Sequence, residues 1–304
     1  MDIVALLSAT LRMAAPLIYV AVGEVHSERA GTMNIGLEGL MLIGGCTAYT
    51  VVFFTDSLVL GLVCAMLVAA AFGLGFAYMA VTVRANQIVI GAALNMIGLG
   101  VSGFFYRTVF SNTGLVAPVR SLAAVPIPGL ASIPFVGPVL FNNNILVYLV
   151  FLLVPVASFV MNKTSLGLAI RAVGEHPRAV DSVGLPVYGL RYGTIVFGAA
   201  MAGLGGAYLS IAHANQFVEG MTAGRGFIAL TMVPFAAWNI SRVFWGGLLF
   251  GAAYALQLRL QAARLDVAYQ FLQILPYVLT LLVLIFARNR AKQPKEMCVP
   301  YEAA

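Results

Sequence analysis

Polar residues interrupt the apolar sequence near the start of the chain, in the stretch SERAGTMNIGLEGLMLIGG (residues 27–45). Glutamate and asparagine side chains are costly in hydrocarbon, so they usually face a bundle interior or a water-filled cavity. Glycines within the stretch permit a break in the helix, and such breaks are tolerated where they line a cavity or are buried in protein. We predict that residues 27–39 re-enter the membrane around an inward-facing pore, with Asn34 and Glu38 facing it. The alternative is a plain cytoplasmic loop.

A second stretch, EGMTAGRGFIAL (residues 219–230), has the same character: polar residues, three glycines and then an apolar run. Two such stretches on opposite sides of the membrane are what an inverted repeat produces, and a translocation path often runs between the repeats. The predicted substrate pathway comprises Asn34, Glu38, Asn95, Arg225, Phe227 and Trp238. Asn95 has the alternative of bridging two helices, Arg225 that of reaching lipid headgroups, and Trp238 that of an interfacial aromatic residue.

Several kinds of chemistry have no motif in this chain. It contains no H-E-x-x-H, no G-x-S-x-G and no G-x-x-x-x-G-K-[ST], and lysine occurs only at 163, 292 and 295. The three cysteines have no paired spacing, which speaks against a metal or redox set. We therefore expect a protein that is not an enzyme, has no ATPase site of its own and binds neither metal nor cofactor. If ATP is used, a partner must bind it with its magnesium.

The composition places these residues in a membrane. Of 304 residues, 61% are hydrophobic and 9% are charged, whereas a soluble domain carries about 25% charged residues. Scanning for stretches of about 20 apolar residues predicts an all-α polytopic membrane protein with about nine spans, some broken or partial. The predicted spans are 3–23, 35–55, 57–83, 87–109, 145–161, 193–212, 226–239, 243–262 and 270–287. They form a single transmembrane domain over residues 1–289, followed by a tail, 290–304, predicted to be cytoplasmic and disordered.

The distribution of Lys and Arg predicts the orientation, because these residues accumulate on the cytoplasmic side. With the C-terminus inside and the N-terminus outside, eleven of them fall inside and five outside. This asymmetry accounts for the net charge of +6 without a nucleic acid partner. Residues 110–144 then form a proline-rich external loop, either an ordered apolar cap or an irregular connection, and residues 162–192 form a cytoplasmic loop.

The cytoplasmic loop contains GEHPRAVDSVG, which reads as a short helix with both ends marked. Pro177 suits a first helical position and Gly184 the left-handed residue after a C-terminus. A helix of two turns is unstable alone, so it either docks into a partner or lies on the lipid headgroups.

The sequence RAVGEHPRAVDSVGLPV, which includes this helix, resembles the coupling-helix segment of ABC importer permeases in the branched-chain amino acid/simple-sugar superfamily. The stretches at 27–45, 85–100, 220–233 and 246–261 are similar to its nucleoside and simple-sugar members, in the same order along the chain. After GRGFIAL, the family tends to continue with Phe-Gly-x-Trp-x-Pro. This chain reads VPFAAWNISR instead, which puts a substrate role of Trp238 in doubt.

The resemblance implies a permease subunit of a prokaryotic plasma membrane importer. Its partners would be an ATPase subunit, an external solute-binding protein and a second permease subunit, commonly a different and longer chain. It implies contact with the ATPase through Gly174, Glu175, His176, Pro177, Arg178, Ala179, Asp181 and Gly184. The near absence of ionisable groups in the spans suits a neutral polar solute, either a nucleoside, which the resemblance favours, or a simple sugar. An ion-coupled secondary transporter is the rival, and Glu38 is the one coupling carboxylate that the predicted spans offer it.

Overall fold

A computed structural model describes residues 3–110, 118–263, 269–287 and 293–302. Within these ranges the chain is almost entirely helical. The helices are α1 Ile3–Arg29, α2 Leu37–Thr55, α3 Leu58–Ala77, α4 Gln87–Phe110, α5 Val136–Leu140, α6 Ile145–Lys163, α7 Ser165–Glu175, α8 Pro177–Ser182, α9 Val187–Ala207, α10 Arg225–Phe235, α11 Ile240–Ala262, α12 Tyr269–Gln273 and α13 Leu275–Ala287. Two strands of two residues each, β1 Val125–Pro126 and β2 Asn142–Asn143, pair antiparallel in the connection between α4 and α6.

Each of the nine predicted spans coincides with an apolar helix, which confirms the all-α polytopic class. In the described residues, seven helices are long and apolar enough to cross a membrane: α1, α2, α3, α4, α6, α9 and α11. The other two predicted spans fall on shorter apolar helices, α10 and the segment 270–282. The seventh predicted span falls on an 11-residue helix, which is short for a full crossing, and its partial or tilted crossing stays a prediction.

The α1 helix extends six residues beyond its predicted end, and this extension changes the polar content of the membrane domain. Glu24 and Glu28 lie in its last two turns with exposed fractions of 0% and 1%. The prediction that Glu38 is the one carboxylate at membrane depth is therefore wrong. The physical reason is that each added carboxylate accepts a hydrogen bond within the protein, Glu24 from the amide of Asn34 and Glu28 from the indole of Trp238, which offsets part of the cost of burial.

An internal repeat relates α3 to α9. Residues 73–78 read GLGFAY and residues 203–208 read GLGGAY. Both helices continue into a π-helical segment, Tyr78–Thr82 and Tyr208–Ala214. Each segment is followed by a left-handed residue, Arg84 (φ 63°) and Asn215 (φ 56°), close to an Ala-Asn-Gln sequence. Residues 213–216 after α9 therefore correspond to the break after α3. The match of residues 219–230 with residues 27–39, which the sequence suggested, stays a prediction.

The two repeat helices pack against each other antiparallel and reciprocally. A Cβ atom at Gly73 would lie 2.2 Å from the Cβ of Ala199, and one at Gly203 would lie 2.5 Å from the Cβ of Ala69. An offset of about 130 residues converts one contact into the other, because Gly73 then corresponds to Gly203 and Ala69 to Ala199. An antiparallel pair with exchanged contacts is the geometry of an inverted repeat with a pseudo-two-fold axis in the membrane plane.

We expect Gly73→Ala to destabilise the protein by about 1–3 kcal/mol, because the added methyl overlaps Ala199 in a closely packed interface. Adding Ala199→Gly should restore most of the loss, since it removes the methyl that the new one meets. Thermal unfolding of the purified protein in detergent or nanodiscs measures both effects. Gly75→Ala is the matched control, because a Cβ at that position meets nothing within 4 Å. A Gly73→Ala protein as stable as the control would contradict the reciprocal contact.

The connection between α4 and α6 is ordered over residues 118–144, where it forms a cap, and residues 111–117 of the predicted external loop lie outside the described residues. The amide of Leu122 donates to the carbonyl of Ile211 at 3.1 Å. The Ser8 hydroxyl donates to the carbonyl of Pro138 at 2.7 Å. These bonds attach the cap to the start of α1 and the end of α9, as expected for the ordered alternative.

The tail is packed where the structure describes it. Residues 293–302 lie against α7, α8 and the connection between α1 and α2, and Tyr301 is 5% exposed in a cluster with Val173, Val180 and Val187. The prediction of a disordered tail is therefore wrong for this part. The polar composition of this segment predicts disorder, but one buried aromatic residue and several backbone hydrogen bonds hold the segment in place. No local sequence pattern indicates these contacts. Residues 290–292 and 303–304 of the tail lie outside the described residues.

Candidate translocation and coupling sites

The connection between α1 and α2, residues 30–36, is a buried break in the helix. Thr32 and Asn34 are 0% and 1% exposed. Backbone N–H groups in such a position must find partners within the protein. The amide of Met33 donates to the Gln87 side chain at 2.9 Å, and the amide of Asn34 donates to Glu24 at 2.7 Å. The stretch is therefore buried irregular backbone and not a plain cytoplasmic loop.

Asn34 itself completes this arrangement. Its side-chain oxygen accepts a hydrogen bond from the amide of Gly36 at 2.9 Å. The side chain thus closes a local turn that leads into α2. Its assignment to the substrate pathway stays a prediction, with the structure adding that its oxygen is engaged by backbone.

Asn95 bridges two helices, which was the alternative to a pore-lining role. Its side-chain oxygen accepts from the amide of Gly39 at 2.8 Å, and its side-chain nitrogen donates to the carbonyl of Ile35 at 2.9 Å. The amide group on α4 therefore takes the place of a capping residue at the start of α2, where Gly36 offers no side chain. Close contact between Gly39 and α4 brings the two backbones near enough for both bonds.

Glu38 joins the two polar stretches that the sequence singled out. One carboxylate oxygen accepts from the Thr222 hydroxyl at 2.6 Å and from the amide of Gly224 at 2.7 Å. The other accepts from the amide of Gly226 at 2.7 Å. The first amides of a helix lack intrahelical partners and carry partial positive charge, so a carboxylate is well placed there. Glu38 on α2 is thus the N-terminal cap of α10.

Arg225 and Phe227 lie on the first turn of α10, beside this cap. The Arg225 guanidinium donates to the carbonyls of Met221 and Thr222, both at 3.1 Å, and lies 4.6 Å from the ring centre of Tyr254. Phe227 is 43% exposed. The arginine is therefore held by protein groups, while the phenylalanine presents an aromatic surface outward.

Trp238 lies apart from the other predicted pathway residues, in the turn between α10 and α11. It is 5% exposed, and its indole N–H donates to Glu28 at 2.6 Å. Arg29 donates to its carbonyl at 3.1 Å. Ala237 and Trp238 both have positive φ, at the point where the sequence departs from the family pattern. Burial excludes the interfacial-belt interpretation; the residue fastens this turn to the end of α1.

The predicted short cytoplasmic helix is present with the predicted ends. Helix α8 begins at Pro177, and Gly184 follows it with φ +78°. Pro177 and Val180 are buried against the protein. The opposite side of the segment is exposed and includes His176, Arg178, Ala179, Asp181, Ser182, Val183 and Gly184, with Glu175 half-buried at its edge. We call α7 and α8 together the foot.

The foot rests directly on the buried break. A Cβ at Gly174, the buried glycine near the end of α7, would lie 2.2 Å from the carbonyl oxygen of Arg29 and 3.3 Å from the amide of Gly31. Only glycine permits this approach. The exposed side of α8 and the break after α1 are therefore parts of one continuous packed unit.

Charged groups gather at two ends of the molecule. Arg84 pairs with Glu302 at the end that carries the foot. At the other end Arg107 pairs with Glu219 through bonds of 2.6 and 2.5 Å, and this hydrogen bonding lowers the pKa of the Glu219 carboxyl. Each end thus contains residues that the sequence placed on one side of the membrane.

Sequence reasoning missed Glu24, Glu28, Gln87 and Thr222 as partners in these sites. Glu24 and Glu28 could have been found by extending the first apolar segment to the next glycine. Gln87 and Thr222 carried no local signal, because their partners lie 54 and 184 residues away.

The fold, with its buried breaks stabilised by polar side chains, defines a polytopic membrane transport protein. Residues 6–287 match the family model described as the permease component of the branched-chain amino acid transport system. The chain belongs to this family and is an ABC importer permease subunit. No solved structure matches it.

The similarity to curated relatives extends over most of this chain and most of each relative. The chain is 38% identical to the guanosine ABC transporter permease protein NupQ of Bacillus subtilis, over 99% of this chain and 98% of that protein. It is 32% identical to the nucleoside ABC transporter permease protein NupC of Lactococcus lactis, over 94% and 93%. It is also 38% identical to a putative glucose ABC transporter permease protein, TsgC13, of Haloferax volcanii, over 86% and 79%.

Proposed function

We propose that this permease subunit moves nucleosides inward across a prokaryotic plasma membrane, with ATP and magnesium bound by a separate ATPase subunit. The observation that carries the coupling is the foot: α8 has an exposed surface with several polar side chains, and the adjoining α7 contacts a buried break in the membrane domain through Gly174. Two relatives named for guanosine or nucleoside transport, each matched over more than nine-tenths of this chain, support the substrate class.

The partners follow from the same proposal. The ATPase binds the exposed side of α8, so the foot and the C-terminus are cytoplasmic and the N-terminus is external. An external solute-binding protein delivers the substrate to the end that carries the Arg107–Glu219 pair. The second permease subunit is a different, longer chain, as in the nucleoside-type proteins that this sequence resembles.

The substrate passes beside the meeting point of α2, α4 and α10. Phe227 presents a partly exposed ring on which a base can stack, since stacking on an aromatic ring tolerates different bases. Asn34, Glu38, Asn95 and Arg225 hold the surrounding backbone in place through the hydrogen bonds described above. Trp238 contributes indirectly, by fixing the turn after α10.

Uptake by the reconstituted complex should follow ATP hydrolysis and be insensitive to ionophores, because the proposed energy source is a separate ATPase and not an ion gradient. Proteoliposomes loaded with ATP and given radiolabelled guanosine measure this. Loss of uptake on adding an ionophore would instead favour an ion-coupled secondary transporter.

A simple sugar is the second candidate substrate, because the Haloferax volcanii relative named for glucose is as similar in identity as the guanosine permease. A ligand screen of the external solute-binding protein, read by thermal shift, separates the two. Stabilisation by nucleosides and not by sugars is expected. The reverse result would assign this subunit to sugar import.

A further inference from the structure

Residues 294–302, which we call the strap, connect the foot to the buried break. The amide of Glu296 donates to the carbonyl of Gly174 in the foot at 2.9 Å. Two residues later, the amide of Cys298 donates to the carbonyl of Gly31 in the break, also at 2.9 Å. Gly31 has φ +88°, and a Cβ there would lie 2.9 Å from the carbonyl oxygen of Glu296, so the strap needs glycine at this position.

A buried arginine fixes the middle of the strap. Arg191 on α9 is 1% exposed and donates to the carbonyl of Val299 at 3.1 Å. The Nε and Nη2 atoms of its guanidinium are buried without a hydrogen-bond partner, so the bond to the strap is the one hydrogen bond of this side chain among the described residues. Burying a guanidinium is unfavourable unless it is hydrogen-bonded. Breaking the bond to Val299 would therefore cost free energy unless the arginine became exposed to water.

The end of the strap is anchored by an aromatic side chain and an ion pair. Tyr301 packs with Val173, Val180 and Val187, which belong to α7, α8 and α9. Burial, together with the neighbouring Asp181 carboxylate of α8, raises the pKa of the Tyr301 hydroxyl. The next residue, Glu302, pairs with Arg84 in the break after α3. The strap therefore contacts the foot, the α1–α2 break and the Arg84 region after α3.

We propose that the strap is a positioning element for transport: it holds the foot to the two breaks, so that a displacement of the foot moves them together. This inference rests on the proposed coupling to an ATPase. Without the strap, the foot contacts the α1–α2 break through the close approach at Gly174. Van der Waals contact of this kind opposes compression strongly but opposes separation weakly. The strap adds hydrogen bonds and the packing of Tyr301, which resist separation, and its exposed Glu302–Arg84 pair reaches the Arg84 region.

The test uses the complete complex of permeases, ATPase and external receptor in proteoliposomes and nanodiscs, with Tyr301→Ala in this chain. Hydrogen exchange of the Glu296 and Cys298 amides should accelerate about tenfold or more, because their bonds open locally once the anchor is lost. Substrate taken up per ATP hydrolysed should fall about fivefold or more. Co-purification of the ATPase should stay close to that of the unchanged protein, since the exposed side of α8 is intact. Lys295→Ala, an exposed residue of the same segment, is the matched control.

Accelerated exchange with unchanged uptake per ATP would overturn the proposal, because the strap would then be loose without consequence. If Tyr301→Ala leaves exchange unchanged, deletion of 294–302 is the second variant, with the same criteria for uptake. Loss of ATPase binding on deletion would also overturn it and assign the strap to the docking surface. Failure of the proposed function would be seen separately, in the protein without substitutions: it would neither bind an ATPase nor support ATP hydrolysis.

Discussion

Replacing Glu38 by alanine is expected to destabilise the protein by about 3 kcal/mol and to reduce uptake at least tenfold. A hydrogen bond to a charged group contributes about 1.5–3 kcal/mol, and the three donors at the start of α10 would lose their acceptor together. They lie inside the membrane domain, where water replaces the lost acceptor poorly. Because Glu38 on α2 caps α10, its loss separates the two polar stretches that the proposed pathway needs.

A graded series of variants tests this interpretation. Glu38→Gln keeps one oxygen for Thr222 and Gly224 but turns an amide N–H toward the amide of Gly226, so its stability should be intermediate. Thr222→Ala removes one donor and should have the smallest effect of the three. Asp56→Asn, an exposed acid at the other end of α2, is the control for charge. Thermal unfolding and guanosine uptake are measured for each. A Glu38→Ala protein with the stability of the control would show that the cap contributes nothing.

Ala179→Trp is expected to weaken ATPase binding at least tenfold while leaving the permease folded. Ala179 is exposed on α8 between Arg178 and Asp181, so a large ring there occupies the space of the partner and not that of the permease core. Interface centres tolerate such changes poorly, with effects of about 2 kcal/mol or more at the most sensitive positions. The dissociation constant of the ATPase from the nanodisc-embedded permease is the measurement.

Charge reversal on the same surface provides an independent variant. Arg178→Glu should weaken binding through electrostatics, and its effect should shrink as salt is raised, whereas the effect of Ala179→Trp should not. Ala124→Trp, an equally exposed position in the external cap, is the matched control and should leave ATPase binding unchanged. Normal binding by both α8 variants would move the docking site elsewhere on the cytoplasmic side.

Much of the architecture could be predicted because it depends on local rules. The apolar segments appear at their predicted places, since length and hydrophobicity alone decide whether a helix can cross a bilayer. Helix α8 was predicted with its first residue, Pro177, and its terminating glycine, Gly184, because both ends depend on backbone preferences of single residues. The internal repeat was also readable in principle, from Gly-Leu-Gly-x-Ala-Tyr at 73 and at 203, although only the reciprocal helix contacts reveal its hand.

The sequence by itself determined which segments are helical, which stretches interrupt them and where α8 begins and ends. The tertiary structure decided what the polar groups do: Glu38 caps α10, Trp238 meets Glu28 and the strap binds the foot. The physical reason is distance along the chain. Helix formation depends on residues within a turn or two of each other, whereas the partners in these hydrogen bonds lie 184 and 210 residues apart. One sequence contains both partners of such a bond but gives no sign that they meet.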